Sequence, residues 1–170
     1  MTDSRPVRAR RTLLAGGLGS AALFAMQARA GADAVSGNTP RHVRKVADRA
    51  MDRFDHGWRT GAWDPFLAML TEHFSFWFPE GAWRGRHEGE RGRRAIEEWA
   101  RFHAENGNRV TGTRRSVAPL GGARVLYEYD TRGSSPSTEG YLNWETVIVE
   151  VRGDRIAALH EYWGNVPPTS

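Results

Sequence analysis

The segment Ala158 to Gly164, ALHEYWG, sets a histidine and a glutamate side by side, where the flanking Ile156, Leu159, Tyr162 and Trp163 mark a terminal β-strand. Successive strand residues point to opposite faces, so His160 and Glu161 face opposite sides of a sheet. Three further carboxylates, Glu128, Asp130 and Glu145, lie in two preceding strand-like runs, ARVLYEYDTRG and YLNWETVIVEV. If Asp130 turns inward, Leu126 and Glu128 do so too; the next strand then contributes Asn143, Glu145 and Val147, and the last contributes Leu159, Glu161 and Trp163. In this phase Glu161 enters the interior and His160 faces outward, toward a dimer interface. The inverse phase buries Tyr127, Tyr129 and Tyr162 together with His160 and is equally apolar.

Several carboxylates in one aromatic-walled space cannot all ionise cheaply. Desolvation and like charge both raise a carboxyl pKa, so at least one of Asp130, Glu145 and Glu161 is expected to stay protonated near neutral pH. A neutral acid beside an ionised one is what general acid/base catalysis requires. The expected catalytic set is therefore Asp130, Glu161 and Glu145, with His73 or His160 as a proton shuttle. Glu128 and Glu145 have a plainer alternative use, as cross-strand partners of Arg114, Arg115, Arg124 or Arg132. The rings of Phe54, Trp58, Phe74, Phe76, Phe78, Trp83, Trp99 and Phe102 offer surface for a planar or polycyclic apolar ligand. Glu128, Asn143 and Trp163 are expected beside it. Each ring taken alone also suits ordinary core.

Other chemistries lack their residues. The chain has no cysteine, which removes disulfides, thiolate metal sites and cysteine nucleophiles. Its six histidines, His42, His56, His73, His87, His103 and His160, have no close ligand spacing, and no metal or other cofactor is expected. Nucleophile elbows, phosphate-binding glycine loops and RNA-binding aromatic signatures are absent from the sequence. The formal charge is +4, but five of the 24 basic residues and two of the 20 acidic ones lie in residues 1–34, leaving about +1 for the rest. No nucleic-acid partner is expected.

Residues 1–34 read as a targeting segment. Arg10-Arg11 precedes Thr12, Leu13 and Leu14, a moderately apolar run to Met26, and two small-x-small sites at Ala28-Arg29-Ala30 and Ala32-Asp33-Ala34. This pattern resembles a twin-arginine export signal, with release to the periplasm or medium. The apolar run of about 14 residues is short for a bilayer, so no stable membrane insertion is expected. Residues 35–40 then form a linker, 41–164 a single domain, and 165–170 a tail.

The domain must position those carboxylates, and its patterns say how. Thr39-Pro40 is a helix start, and Val43, Val46, Ala47, Ala50, Met51, Phe54 and Trp58 follow at three-to-four spacing until Gly61. Asp64-Pro65 opens a short second helix, and HFSFWFP alternates as a strand ending at Pro79. PEGAWRGRHEGERGRR reads as a loop or short hairpin. Ala95, Ile96, Trp99, Phe102 and His103 mark a third helix, stopped by Asn106-Gly107. RVTGTRRSVAPL, the two strand runs named above and RIAALHEYW complete an antiparallel meander. The predicted fold is α+β: a cone-shaped, curved antiparallel or mixed sheet with three helices packed on one face around a pocket.

Across residues 41–164, GAWDPFLAMLTEHFSFWFP, a glycine-containing loop, GRRAIEEW and the terminal GDRIAALHEYWG resemble the nuclear transport factor 2-like superfamily, and within it the SnoaL-like branch that includes polyketide cyclases. The resemblance implies a conical pocket with acid/base groups at its base, binding a small hydrophobic molecule, in a chain that often dimerises through its sheet. The reactions it implies are cofactor-free cyclisation, isomerisation, dehydration or hydration of a polyketide- or terpenoid-like substrate. Noncatalytic binders share the fold. Carried over residue by residue, the tyrosine of ketosteroid isomerase falls on Phe54 and its general base on Phe78, which leaves that reaction without its proton carriers. The two acids of limonene epoxide hydrolase fall on Asp130 and Glu161, and its arginine falls on Glu128.

Overall fold

The computed structural model describes residues 39–135 and 138–164. The expected export signal, residues 35–38 of the linker and the tail lie outside them. Helix α1 spans Pro40–Thr60. Thr39 caps it by accepting a hydrogen bond from the His42 backbone N–H at 3.2 Å, and Gly61, at φ 79°, closes it in the left-handed conformation that glycine tolerates. Its buried stripe is Val43, Val46, Ala47, Ala50, Met51, Phe54 and Gly57. Helix α2 is one turn, Asp64–Leu67, anchored by the buried Phe66.

Strand β1, Leu70–Phe78, turns Leu70, Phe74, Phe76 and Phe78 inward. A single 3-10 turn at Gly81–Trp83 leads to β2, Gly85–His87, which pairs antiparallel with β1. The short-hairpin alternative therefore describes the first part of the arginine-rich segment. Its second part is helical: α3 runs Gly89–Glu105, so GERGRR belongs to a helix and not to a loop. The glycine that reads as a breaker is needed by packing. A Cβ on Gly92 would lie 1.9 Å from the Phe74 carbonyl oxygen, so α3 can ride on the β1 backbone only through a residue without a side chain. Gly92→Ala is expected to cost about 3 kcal/mol through overpacking, read as a lowered denaturation midpoint. An unchanged midpoint would show that this contact yields freely.

The remaining strands are β3 (Arg109–Gly121), β4 (Arg124–Ser135), β5 (Thr138–Arg152) and β6 (Arg155–Trp163). The sheet order is β2-β1-β6-β5-β4-β3, with β1 and β6 parallel and the other neighbours antiparallel. This is the α+β fold expected, a curved and unclosed mixed sheet with its helices on the inner face. Helix α1 crosses β3 to β6, and α3 packs on β1. Trp99 sits at the centre of the interior, parallel to Phe54 at 5.9 Å and edge-on to Trp58, Trp63, Phe76 and Phe78. No helix among the described residues is long and apolar enough to cross a membrane.

Register decides which carboxylates meet. Tyr127 pairs with Val147 and Tyr129 with Glu145, so these four share the inner face with Thr131 and Asn143. Across the next ladder Val147 pairs with Glu161, and Glu145 with Trp163. The face assignment with Glu161 inward therefore describes β5 and β6. For β4 it is one residue out: Asp130 pairs with Trp144 on the outer face. The physical reason lies on α1 and β3. Buried tyrosine hydroxyls need partners, and Tyr127 donates to Asp48 at 2.9 Å while Tyr129 accepts from Arg114 Nε at 3.0 Å.

Candidate active site

Two inner-face carboxyls, diagonal neighbours on β5 and β6, form the core of the site. Glu161 is 1% exposed. Its Oε2 accepts from Trp163 Nε1 at 3.1 Å, and its Oε1 has no partner among the described residues. Burial, and then the charge of Glu145, push its pKa well above the ordinary carboxylate range, against a smaller opposing effect of the Trp163 hydrogen bond. Glu145 stands in a different environment. Its Oε1 accepts from the Tyr141 hydroxyl at 2.5 Å, from Thr131 Oγ1 at 2.9 Å and from Asn143 Nδ2 at 3.5 Å. Burial raises its pKa as well, but these donors favour its ionised form. The asymmetry separates the two: burial favours the neutral form of Glu161, and its hydrogen-bond donors make Glu145 the member better able to carry negative charge. Burial and the neighbouring Glu145 push the Tyr141 hydroxyl upward, which keeps it a donor.

Asn143 and Trp163 complete the polar layer. Asn143 donates to the Tyr141 oxygen at 3.0 Å, and its own Oδ1 is unpartnered among the described residues. Trp163 packs edge-on against Phe78 at 5.0 Å and against Tyr141 at 6.2 Å, and both Trp163 and Tyr141 are half-buried at the rim.

Several residues expected here lie elsewhere. Asp130 is bound by Arg115 and the exposed Glu128 by Ser116, both on the outer face, so neither carboxylate belongs to the interior pair. The arginine pairing expected as the alternative for Glu128 does not form: its partner is Ser116, and Arg115 binds Asp130 instead. His160 is also outward, its Nε2 3.0 Å from Ser75 Oγ, with its pKa lowered by burial and by Arg86. His73 is exposed on β1. As placed, neither histidine contacts the Glu145–Glu161 pair.

The rings fill the cone more than they line it. Phe54, Trp58, Phe76, Phe78 and Trp99 contact one another directly or through Trp99, with centroid separations of 5.1–6.3 Å. One space between α1 and the sheet is about 10 Å³, bounded by Phe54, Asp55 and Trp58 on one side and Tyr129, Thr131 and Glu145 on the other. It is too small for a polycyclic ligand. Trp83 is half-buried beside Phe102, which is 44% exposed, with their centroids 5.2 Å apart. The ring of His103 lies within 4.7–6.3 Å of Trp58, Trp99, Phe102 and Trp83, and burial lowers its pKa to about 4. No group of three or more His, Asp or Glu side chains among the described residues is arranged to hold a metal ion.

Tyr141, Thr131 and Asp55 are absent from the sequence-derived site. Tyr141 was within reach, since Tyr141, Asn143 and Glu145 recur at every second residue of one strand. Thr131 was lost with the phase of β4. Asp55 carries no local signal on an amphipathic helix.

Comparison with solved structures places the chain. An NTF2-like protein from Anabaena variabilis shares 31% sequence identity with it, at a TM-score of 0.64 over 73% of this chain and 90% of that one. The chain belongs to the NTF2-like family. A proposed polyketide cyclase from Xanthomonas campestris pv. campestris superposes with a TM-score of 0.58 at 20% identity, over 72% of this NTF2-like chain and 93% of the other. An LEH-like epoxide hydrolase from M. tuberculosis does so with a TM-score of 0.55 at 20% identity, over 70% and 83%. At that identity the last two share the fold. No family model matches this NTF2-like chain, and no curated protein matches it significantly.

Proposed function

We propose that this NTF2-like chain is an exported enzyme that performs cofactor-free acid/base chemistry on a small apolar molecule of polyketide or terpenoid type. The observation that carries the reading is the sealed Glu161, whose neutral form burial favours, beside the hydrogen-bonded Glu145. One carboxyl gives a proton while the other takes one, which serves cyclisation, isomerisation, dehydration and hydration alike. Glu161 is sealed, so the polar end of the substrate reaches its Oε1, unpartnered among the described residues, once Tyr141 and Trp163 at the rim move aside, and the apolar body then lies against those two rings. The cyclase and the epoxide hydrolase of the same fold support this class of reaction by analogy. Export rests on the Arg10-Arg11 segment, and a homodimer formed through the outer face, where Trp144 is 60% and Tyr162 43% exposed, completes the reading.

The test is Glu161→Gln, which preserves shape and removes the transferable proton. With a substrate drawn from a panel of unsaturated ketones, epoxides and polyketide mimics, turnover is expected to fall by about 10²–10⁴-fold while apolar binding persists. The interlocked rings favour a second reading, a noncatalytic binder that holds a small ligand at the rim. Turnover indifferent to Glu161→Gln, with a change in affinity alone, would select it.

A further inference from the structure

The cavity of about 10 Å³ behind the acid pair has a wall that suits neither an apolar ligand nor plain packing. Asp55 from α1 and Glu145 from β5 both line it, close enough for the charge of one to act on the other, together with Tyr129 and Thr131 from β4. A cavity needs about 10–15 Å³ and two to four polar partners to hold one water. This one meets both conditions.

We infer that a single water molecule occupies this cavity, bridges Asp55 to Glu145, and carries protons between solvent and the Glu145–Glu161 pair. The relay rests on the acid/base reading above for its use, and on the cavity for its existence. Asp55 is suited to the solvent end. Its side chain is 18% exposed, whereas Glu161 is sealed. Asp55 Oδ2 accepts from Arg114 Nη2 at 2.9 Å and lies 3.5 Å from the Tyr129 hydroxyl, and Arg59 and Asp52 of α1 add their charges. Glu145 meets Tyr141, Thr131, Asn143 and Glu161 on its other sides. Gly112 helps to define the wall, since a Cβ there would lie 2.8 Å from Tyr129 Cδ1. In each transfer, protonated Asp55 gives its proton to the water oxygen while the water gives another to the Glu145 carboxylate. One proton moves, and the water is unchanged. Asp55 and Glu145 are both raised by burial first, so each binds a proton more readily than an exposed carboxylate.

Rapid mixing of the mature protein into D₂O, followed by infrared spectroscopy of the protonated carboxyl band, reads how fast protons reach the buried pair. Asp55→Asn removes the solvent-side carrier, and Val147→Ile places an extra methyl in the cavity. Val110→Ile is the second cavity-filling variant should Val147→Ile fail to fold. Exchange is expected to slow by about tenfold or more in Asp55→Asn and in a cavity-filling variant. Rates equal to or above the wild type in these proteins would overturn the relay. The acid/base reading fails separately, if turnover on the substrate panel is unchanged in Glu161→Gln.

Discussion

Trp99→Ala is expected to cost about 3–5 kcal/mol, the usual range for a buried Trp truncated to alanine. Against a typical domain stability of about 5–15 kcal/mol, this brings the protein close to unfolding at room temperature. The site of the change explains its size. Trp99 is fully buried, stacks on Phe54 from α1, and meets Phe76 and Phe78 from β1 edge-on, so its removal opens the joint between both long helices and the sheet. Its indole N–H has no partner among the described residues, so Trp99→Phe is expected to lose much less. Urea denaturation of the three proteins measures this, and equal losses for Ala and Phe would show that ring packing is not what Trp99 supplies.

The second large effect is a change in how stability depends on pH. Glu161 has a folded pKa raised above its unfolded value of about 4.3, so the folded state holds a proton that the unfolded state has released. Its contribution is complete below that pH and is lost as pH rises toward the folded pKa, at about 1.4 kcal/mol per pH unit. Glu145 acts in the same direction. His103 acts in the opposite one. Its pKa falls from 6.5 to about 4 on burial, so its contribution is complete above 6.5 and is lost as pH falls through that window. Between about 4.3 and 6.5 the slopes of Glu161 and His103 oppose each other. Glu161→Gln removes one of them. The variant is expected to gain stability over wild type progressively as pH rises from about 4.3, by about 1.4 kcal/mol per unit until the folded pKa is passed. Denaturation curves at a series of pH values test this, and parallel profiles for the two proteins would mean that Glu161 ionises as readily inside as outside.

How far the site was legible depended on which strands carried a clear alternation. Strands β5 and β6 did: Asn143, Glu145 and Val147 on one, and Leu159, Glu161 and Trp163 on the other, recur at period two and share the inner face. Strand β4 did not, because Val125, Tyr127 and Tyr129 compete with Leu126, Glu128 and Asp130, and each set mixes apolar with polar groups. The outcome is set by Asp48, Asp55 and Arg114, which satisfy the tyrosine hydroxyls from distant positions in the chain. No local pattern contains that information. The same holds for α3, whose first turns look like a loop until the Phe74 carbonyl supplies a reason for Gly92. Helix α1, by contrast, was plain from its Thr39-Pro40 start and its apolar stripe, both of which are local.

The parallel pairing of β1 with β6 bears on when this protein can fold. The last of the described strands in chain order lies between β1–β2 on one side and β5–β4–β3 on the other, and it alone joins them into one sheet. Until Arg155–Trp163 is in place, the chain has two half-sheets with facing bare edges and no shared ladder. Completion must therefore wait for that strand, and such long-range closure is slow and exposed to aggregation. A premature stop near Gly153 would remove more than Glu161: it would leave two fragments of a sheet in one polypeptide, a substrate for proteases and not a shortened version of the same fold.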